Sequence, residues 1–545
     1  MVSRSGTGVP PVIRHGQDAR ATAEPNRANA GRWAVLALSF NLSLASASFA
    51  ATASAKPNLL VIMTDEHNFR TLGCYRELMP PEQAFVWGRD VKVETPNIDW
   101  LAKHGAIADR FYATSPVCTP SRAAFVSGRY PQNTGAHINN LPMRDDVVTF
   151  AEVLRREGYA TGYAGKWHLD NDARPGWQPP RKFGFEDNRY MFNRGHWKKL
   201  ELTADGARVA AVGASGEPTY AVAGADARTF TTDFLADRAV EFIRAQKDKP
   251  FCYVLSIPDP HGPNAVRAPY DTMFDPSKFK QPHTATQPGQ MLPSYASTVV
   301  EKFSQQQMAL YFGMVKCIDD NVGKLLATLR ATGVLERTFI VFTSDHGDMC
   351  GEHGRQNKGI PLEASARVPF LLHAPGVVKP GTQVKAALAN VVFKPTILSL
   401  MGIKNPDAAE GRDASALFRG DVRDWRDIAF LRIGSGEEGG GRGWLGAFTR
   451  RHKLVVSTEG EAALFDLERD PDELNNLFGL AGQREIVRTL GRELSAYAKA
   501  HRDPHGEIPA VQRVLAWAAE GTGEFQPAAA APVKAPDAAK RKRKR

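Results

Sequence analysis

Apolar and polar positions along the chain alternate between two regular patterns. Four apolar runs, at 59–63, 160–164, 251–257 and 339–343, each give way at the C-terminal end to polar residues. These are Thr64-Asp65-Glu66-His67, Gly165-Lys166-Trp167-His168, Asp259-Pro260-His261-Gly262 and Ser344-Asp345-His346-Gly347-Asp348. Between the runs, segments 98–104, 149–157, 231–245 and 306–332 repeat apolar residues every three or four positions, the spacing of amphipathic helices. Apolar strands separated by such helices predict an α/β fold, a mostly parallel sheet covered by helices on both faces. Ligands of such sheets bind beyond the carboxyl ends of the strands, so the four polar clusters are expected to converge on one site.

From about Asp421 the pattern changes. Short apolar runs at 428–432, 444–449, 451–456 and 463–467 are separated by turns, one of them glycine-rich (434–443), and a helical pattern follows at 483–501. This predicts a small antiparallel sheet with a helix. The expected organisation is a leader at 1–55, a catalytic domain at 56–420, a C-terminal subdomain at 421–515 and a disordered basic tail at 516–545.

Charge changes the picture little. The net charge of +10 is mostly terminal, with five arginines against Asp18 and Glu24 in 1–55 and seven Lys/Arg against Asp537 in 534–545. The body is close to neutral, which argues against nucleic acid as a partner. Arg27 and Arg32 precede a run of apolar and small residues with Ala-x-Ala-type sites near Ala50 and Ala55, the layout of an export signal. That run is too interrupted for a membrane span. The expected location is periplasmic or secreted. Five cysteines show neither zinc-site spacing nor a disulfide framework.

The polar clusters suggest their own chemistry. Asp65 and Glu66, with Asp345 and His346, place acids at two strand ends, where they can surround a hard divalent cation such as calcium. Lys166 and His168 are two apart and face the same way if the chain stays extended. His261 sits in a proline-rich turn, and Lys358 follows Asn357 in a polar segment. In Cys118-Thr119-Pro120-Ser121-Arg122, Pro120 suits the first turn of a helix, which sets Cys118 at an end that attracts anions.

The pentapeptide, continued to Gly128-Arg129, resembles the motif of the type I sulfatases, in the alkaline phosphatase superfamily. The order Asp65-Glu66, Cys118 to Arg122, Gly165-Lys166-x-His168, His261, Asp345-His346-Gly347 and Lys358 is similar to that family over about residues 56–500, as is Leu464-Phe465-Asp466-Leu467-Glu468-x-Asp470-Pro471-x-Glu473-x-Asn475-Asn476-Leu477. The resemblance implies an alkaline-phosphatase-like fold and hydrolysis of a sulfate monoester, expected here to be that of a sulfated carbohydrate. It implies that a maturation enzyme converts Cys118 to formylglycine. The aldehyde hydrate supplies one hydroxyl as nucleophile and a second whose deprotonation expels sulfate. Calcium is then expected on Asp65, Glu66, residue 118, Asp345 and His346. Arg122, Lys166 and Lys358 offset negative charge. His261 protonates the leaving oxygen, assisted by Lys358, and His168 takes the proton from the second hydroxyl or orients the first. Glu66 and His346 stand where many members carry Asp and Asn. Two other readings fit the same residues: a phosphonate or phosphate ester hydrolase, and a non-catalytic binding protein with Cys118 unmodified.

Overall fold

The computed structural model describes residues 56–287, 289–299, 301–407, 409–434 and 443–522. The expected leader, most of the glycine-rich turn and the basic tail beyond 522 lie outside them. The apolar runs and helical patterns become, in chain order, β1 (Asn58–Asp65), α1 (Pro96–Lys103), β2 (Ala106–Ala108), α2 (Cys118–Ser127), α3 (Phe150–Arg156), β3 (Ala160–Lys166), β4 (Asp187–Phe192), α4 (Thr231–Gln246), β5 (Phe251–Pro260), α5 (Gln305–Ala331), β6 (Thr338–Ser344), β7 (Phe370–His373) and β8 (Thr382–Val384). The eight strands form one sheet in the order β8-β2-β7-β6-β1-β5-β3-β4. All neighbours pair in parallel except β7, which runs antiparallel to both β6 and β2.

Strand geometry explains the two-sided core. Alternate side chains of a strand point to opposite faces. Leu59, Val61 and Met63 join a core with α2 and α3, whereas Leu60 and Ile62 join another with α1, α4 and α5. Helix α3 starts with a capping box, the Thr149 hydroxyl accepting from the Glu152 N–H while the Glu152 carboxylate accepts from the Thr149 N–H. Helix α2 ends at Gly128, whose φ of +69° suits the left-handed cap that glycine adopts most readily.

The second region is an antiparallel meander of β9 (Ala429–Ile433), β10 (Trp444–Phe448), β11 (His452–Ser457) and β12 (Ala462–Asp466), followed by α6 (Arg484–Ala500) and α7 (Pro509–Glu520). Helix α7 runs past 516, where the tail was expected to begin. Val511, Val514, Leu515 and Ala518 give it an apolar stripe that packs in the same core as Leu490 and Leu494 of α6. All five cysteines are buried and unpaired. Among the described residues no helix is long and apolar enough to cross a membrane.

The small sheet grips the segment that follows Lys358. The Trp444 indole N–H donates to the Gly359 carbonyl at 3.1 Å, and Lys453 Nζ donates to the Pro361 carbonyl at 2.9 Å. Lys453 also lies 2.7 Å from both Glu363 Oε1 and Glu473 Oε1, and Glu473 Oε2 accepts from the Glu363 N–H. Burial pushes Glu473 up to about 7, although Lys453 acts in the opposite sense. The folded state therefore holds a proton there that the unfolded chain has lost above about 4.5. The resulting stabilisation is complete below that value and fades as the pH rises towards 7. Glu473→Gln is expected to flatten this part of the stability curve, read from denaturant midpoints at several pH values; an unchanged slope would locate the proton elsewhere.

Candidate active site

The four polar clusters meet at the C-terminal ends of β6, β1, β5 and β3, which are neighbours in the sheet. Asp65 and Lys166 are the last residues of β1 and β3, Asp345 follows β6, and His261 follows β5. Cys118 is the first residue of α2, with Pro120 inside its first turn. At Gly165 φ is +104°, and a Cβ would lie 1.8 Å from the Ser256 carbonyl, so β3 can approach β5 this closely only with glycine there.

Four donors are brought together. One atom each of Asp65, Cys118, Asp345 and His346 lies within 4.8 Å of the others, and all four residues are buried. Cys118 Sγ is 3.2 Å from His346 Nε2 and 3.4 Å from Lys166 Nζ. The Nδ1 of His346 sits 3.0 Å from the Gly347 carbonyl. A carbonyl only accepts, so Nδ1 carries the proton and the Nε2 lone pair faces the cluster, the orientation of a metal-ligating histidine. Two carboxylates, an imidazole lone pair and the side chain at 118 fit a divalent cation.

Arg122 closes the cluster from below. Its Nε donates to Asp345 Oδ2 at 2.9 Å and its Nη2 to Asp65 Oδ2 at 3.1 Å, and Nη1 donates to the Lys166 carbonyl and Ser256 Oγ. Ser121 Oγ donates to the Asp345 carbonyl. Lys166 Nζ lies 2.5 Å from Asp65 Oδ2. Burial alone would raise Asp65, but Lys166, His261 and Arg122 overcome it and hold this carboxylate well below its usual range. Burial works against the Lys166 ammonium, yet Asp65 keeps it raised and charged. The Cys118 thiol is pushed up to about 12 by burial and the Asp65 charge. It is protonated at neutral pH, and a protonated thiol is a poor nucleophile.

Glu66 is buried, but it is not one of the four clustered donors. Its Oε2 lies 2.9 Å from His261 Nε2 and its Oε1 3.2 Å from Lys358 Nζ. Burial raises Glu66, but His261 and Lys358 more than offset this and hold it at about 2. Lys358, which sequence alone would leave on the surface, is 3% exposed, with Nζ 2.7 Å from His261 Nε2. His261 Nδ1 lies 2.8 Å from the Gly262 carbonyl and donates to it, which leaves Nε2 facing Glu66 and Lys358.

Lys166 and His168 do not face the same way. The extended backbone stops at Lys166, and His168 has φ +63°. Its Nε2 donates to Asn140 Oδ1 at 2.8 Å, which leaves Nδ1 as a buried acceptor without a partner. Burial, then Lys166 and Arg122, keep this ring neutral. The Thr119 hydroxyl donates to the His168 carbonyl and so ties this turn to the start of α2.

Sequence reasoning missed His196. It follows β4 in a long segment without clear periodicity, and no motif marks it. Its Nε2 accepts from Lys166 Nζ at 2.8 Å, and its ring stacks on His261 at 3.5 Å between centroids. The Gly195-His196-Trp197 run just after a short strand is the one hint the sequence carries.

The sulfatase family model matches residues 57–403, and the model of the C-terminal part of N-sulphoglucosamine sulphohydrolase matches 351–500. The chain is 30% identical over 453 residues to an ulvan-active sulfatase of Formosa agariphila, covering 81% of this chain and 80% of the relative. A protein solved in complex with its substrate D-glucosamine-2-N,6-O-disulfate superposes with a TM-score of 0.67 at 23% identity, over 83% of this chain and 99% of that one. A phosphonate monoester hydrolase from Silicibacter pomeroyi gives 0.63 at 24% identity, over 82% and 96%. The chain belongs to the sulfatase family and is a sulfuric ester hydrolase.

Proposed function

We propose that this sulfatase is an exported enzyme that removes sulfate from carbohydrate, with Cys118 converted to formylglycine and calcium bound beside it. The observation that carries this reading is the convergence of Cys118 with Asp65, Asp345 and His346 against Arg122 and Lys166 in one buried pocket. The high pKa of the thiol supports a modified residue as the working nucleophile. Asp65, Asp345, His346 and the modified side chain would hold the cation, which polarises the sulfate oxygens and favours the deprotonated nucleophile. Arg122 fixes both carboxylates, and Lys166 presents a permanent positive charge to the nucleophile and the sulfate. His261, between Glu66 and Lys358, would give a proton to the leaving sugar oxygen through Nε2. His168 Nδ1 is an acceptor for the proton released from residue 118. The substrate class is supported by the ulvan-active relative and by the sulfated glucosamine bound to the structural neighbour. The charged, small-residue leader supports export.

Co-expression with a formylglycine-generating enzyme is expected to change the mass of the tryptic peptide containing Cys118 and to confer hydrolysis of an aryl sulfate. A chelator should abolish that activity and calcium should restore it. Parallel assays on aryl phosphate and phosphonate esters separate the sulfatase from its superfamily alternative. An unmodified Cys118 in an active enzyme would overturn the proposed nucleophile.

A further inference from the structure

Beside the centre, a wall of aromatic and basic side chains runs outward from Lys166. Next to His196 in the chain, Trp197 packs on Tyr220 with ring centroids 4.9 Å apart, and the His196 and Tyr220 rings are 6.0 Å apart. Arg174, from the segment before β4, donates through Nη2 to the Tyr220 hydroxyl at 2.5 Å. Its guanidinium lies 5.4 Å from the Trp197 ring centroid and 5.0 Å from that of Tyr220. The side chain is exposed, with two rings and one hydrogen bond to hold it.

Exposed Arg189, Arg228 and Arg423 each pair with an acid two residues away, and Arg194 pairs with Asp172. Among the described residues, no carboxylate forms an ion pair with Arg174. A fixed guanidinium without a counter-ion is a preorganised anion receptor, because its fork matches the oxygens of a carboxylate or sulfate and little ordering entropy is left to lose. His196 adds a donor. Its Nε2 accepts from the Lys166 ammonium, so the proton sits on Nδ1. The half-buried Tyr220 ring offers an apolar face of the kind that sugar rings stack on.

We infer that Arg174, Tyr220 and His196 form a saccharide subsite for a second anionic group, a carboxylate or sulfate, on the sugar that bears the scissile sulfate or on its neighbour. This rests on the carbohydrate sulfatase reading above and extends it to polyanionic substrates. An aryl sulfate carries no second anionic group for Arg174 to bind.

The test compares the matured wild type with Arg174→Ala, Arg174→Lys and Tyr220→Phe on four substrates: an aryl sulfate, a monosulfated neutral disaccharide, a disulfated disaccharide and a monosulfated disaccharide containing a uronate. Arg174→Ala is expected to raise KM for one or both dianionic disaccharides about 10- to 100-fold, the loss of a charge-assisted hydrogen-bond pair. Its kcat should be nearly unchanged, and its kinetics on aryl sulfate and on the neutral disaccharide should match wild type. Arg174→Lys keeps the charge without the fork and should recover part of the loss; Tyr220→Phe, which frees the guanidinium, should give an intermediate rise. The dianionic substrate that responds identifies the group as sulfate or carboxylate. Equal KM changes on charged and neutral disaccharides, or none, overturn the subsite while the sulfatase reading stands. A matured wild type that turns over aryl sulfate but no saccharide overturns the carbohydrate reading and the subsite together.

Discussion

Cys118→Ala is expected to lower turnover by on the order of 10⁴- to 10⁶-fold, the usual loss when a covalent nucleophile is removed. The fold should persist. Cys118 is small, and its sulfur meets Asp65 at 3.9 Å, Lys166 at 3.4 Å and His346 at 3.2 Å, while α2 is fixed by Pro120, Ser121 and Arg122. Circular dichroism and the unfolding midpoint should match wild type. Cys118→Ser is the sharper variant. Its single hydroxyl can attack once but has no second hydroxyl to expel sulfate, so intact-mass spectra should show one sulfated adduct per chain and no multiple turnover. Near-normal turnover in either variant would remove residue 118 from the chemistry.

Arg122→Met should cost the most in stability. Arg122 is 2% exposed and bonds two carboxylates that are both fully buried. Methionine fills similar space but leaves Asp65 and Asp345 facing one another with one partner fewer. Removing one member of a buried ion pair typically costs about 3–5 kcal/mol. The loss should be greater in chelator than with excess calcium, since a bound cation neutralises the same acids. Denaturant unfolding under both conditions tests this. A midpoint equal to wild type in chelator would mean that Arg122 does not hold the carboxylates in place.

Much of this was legible in the sequence because continuous apolar strands that end in polar residues carry topology and chemistry in one pattern. The runs at 59–63, 160–164, 251–257 and 339–343 lie on adjacent strands, and the residues just beyond them meet. Lys358 and Glu66 were harder to read. Their burial depends on a sheet contributed from more than eighty residues downstream and on a backbone turn at Glu66, φ +62°, that no local propensity favours. His196 was illegible because segment 170–230 is shaped by tertiary packing rather than by periodicity. The turn at His168 defeated the extended reading for a similar reason: a non-glycine residue at positive φ is set by its surroundings, and such conformations gather at functional sites.

The grip of Trp444 and Lys453 on the backbone just after Lys358 has a consequence for how such an enzyme can be rebuilt. The buried lysine beside His261 belongs by sequence to the larger part but is anchored by the smaller, so the two make a single mechanical piece. A chimera exchanging C-terminal regions between relatives must carry 358–363 along with its sheet.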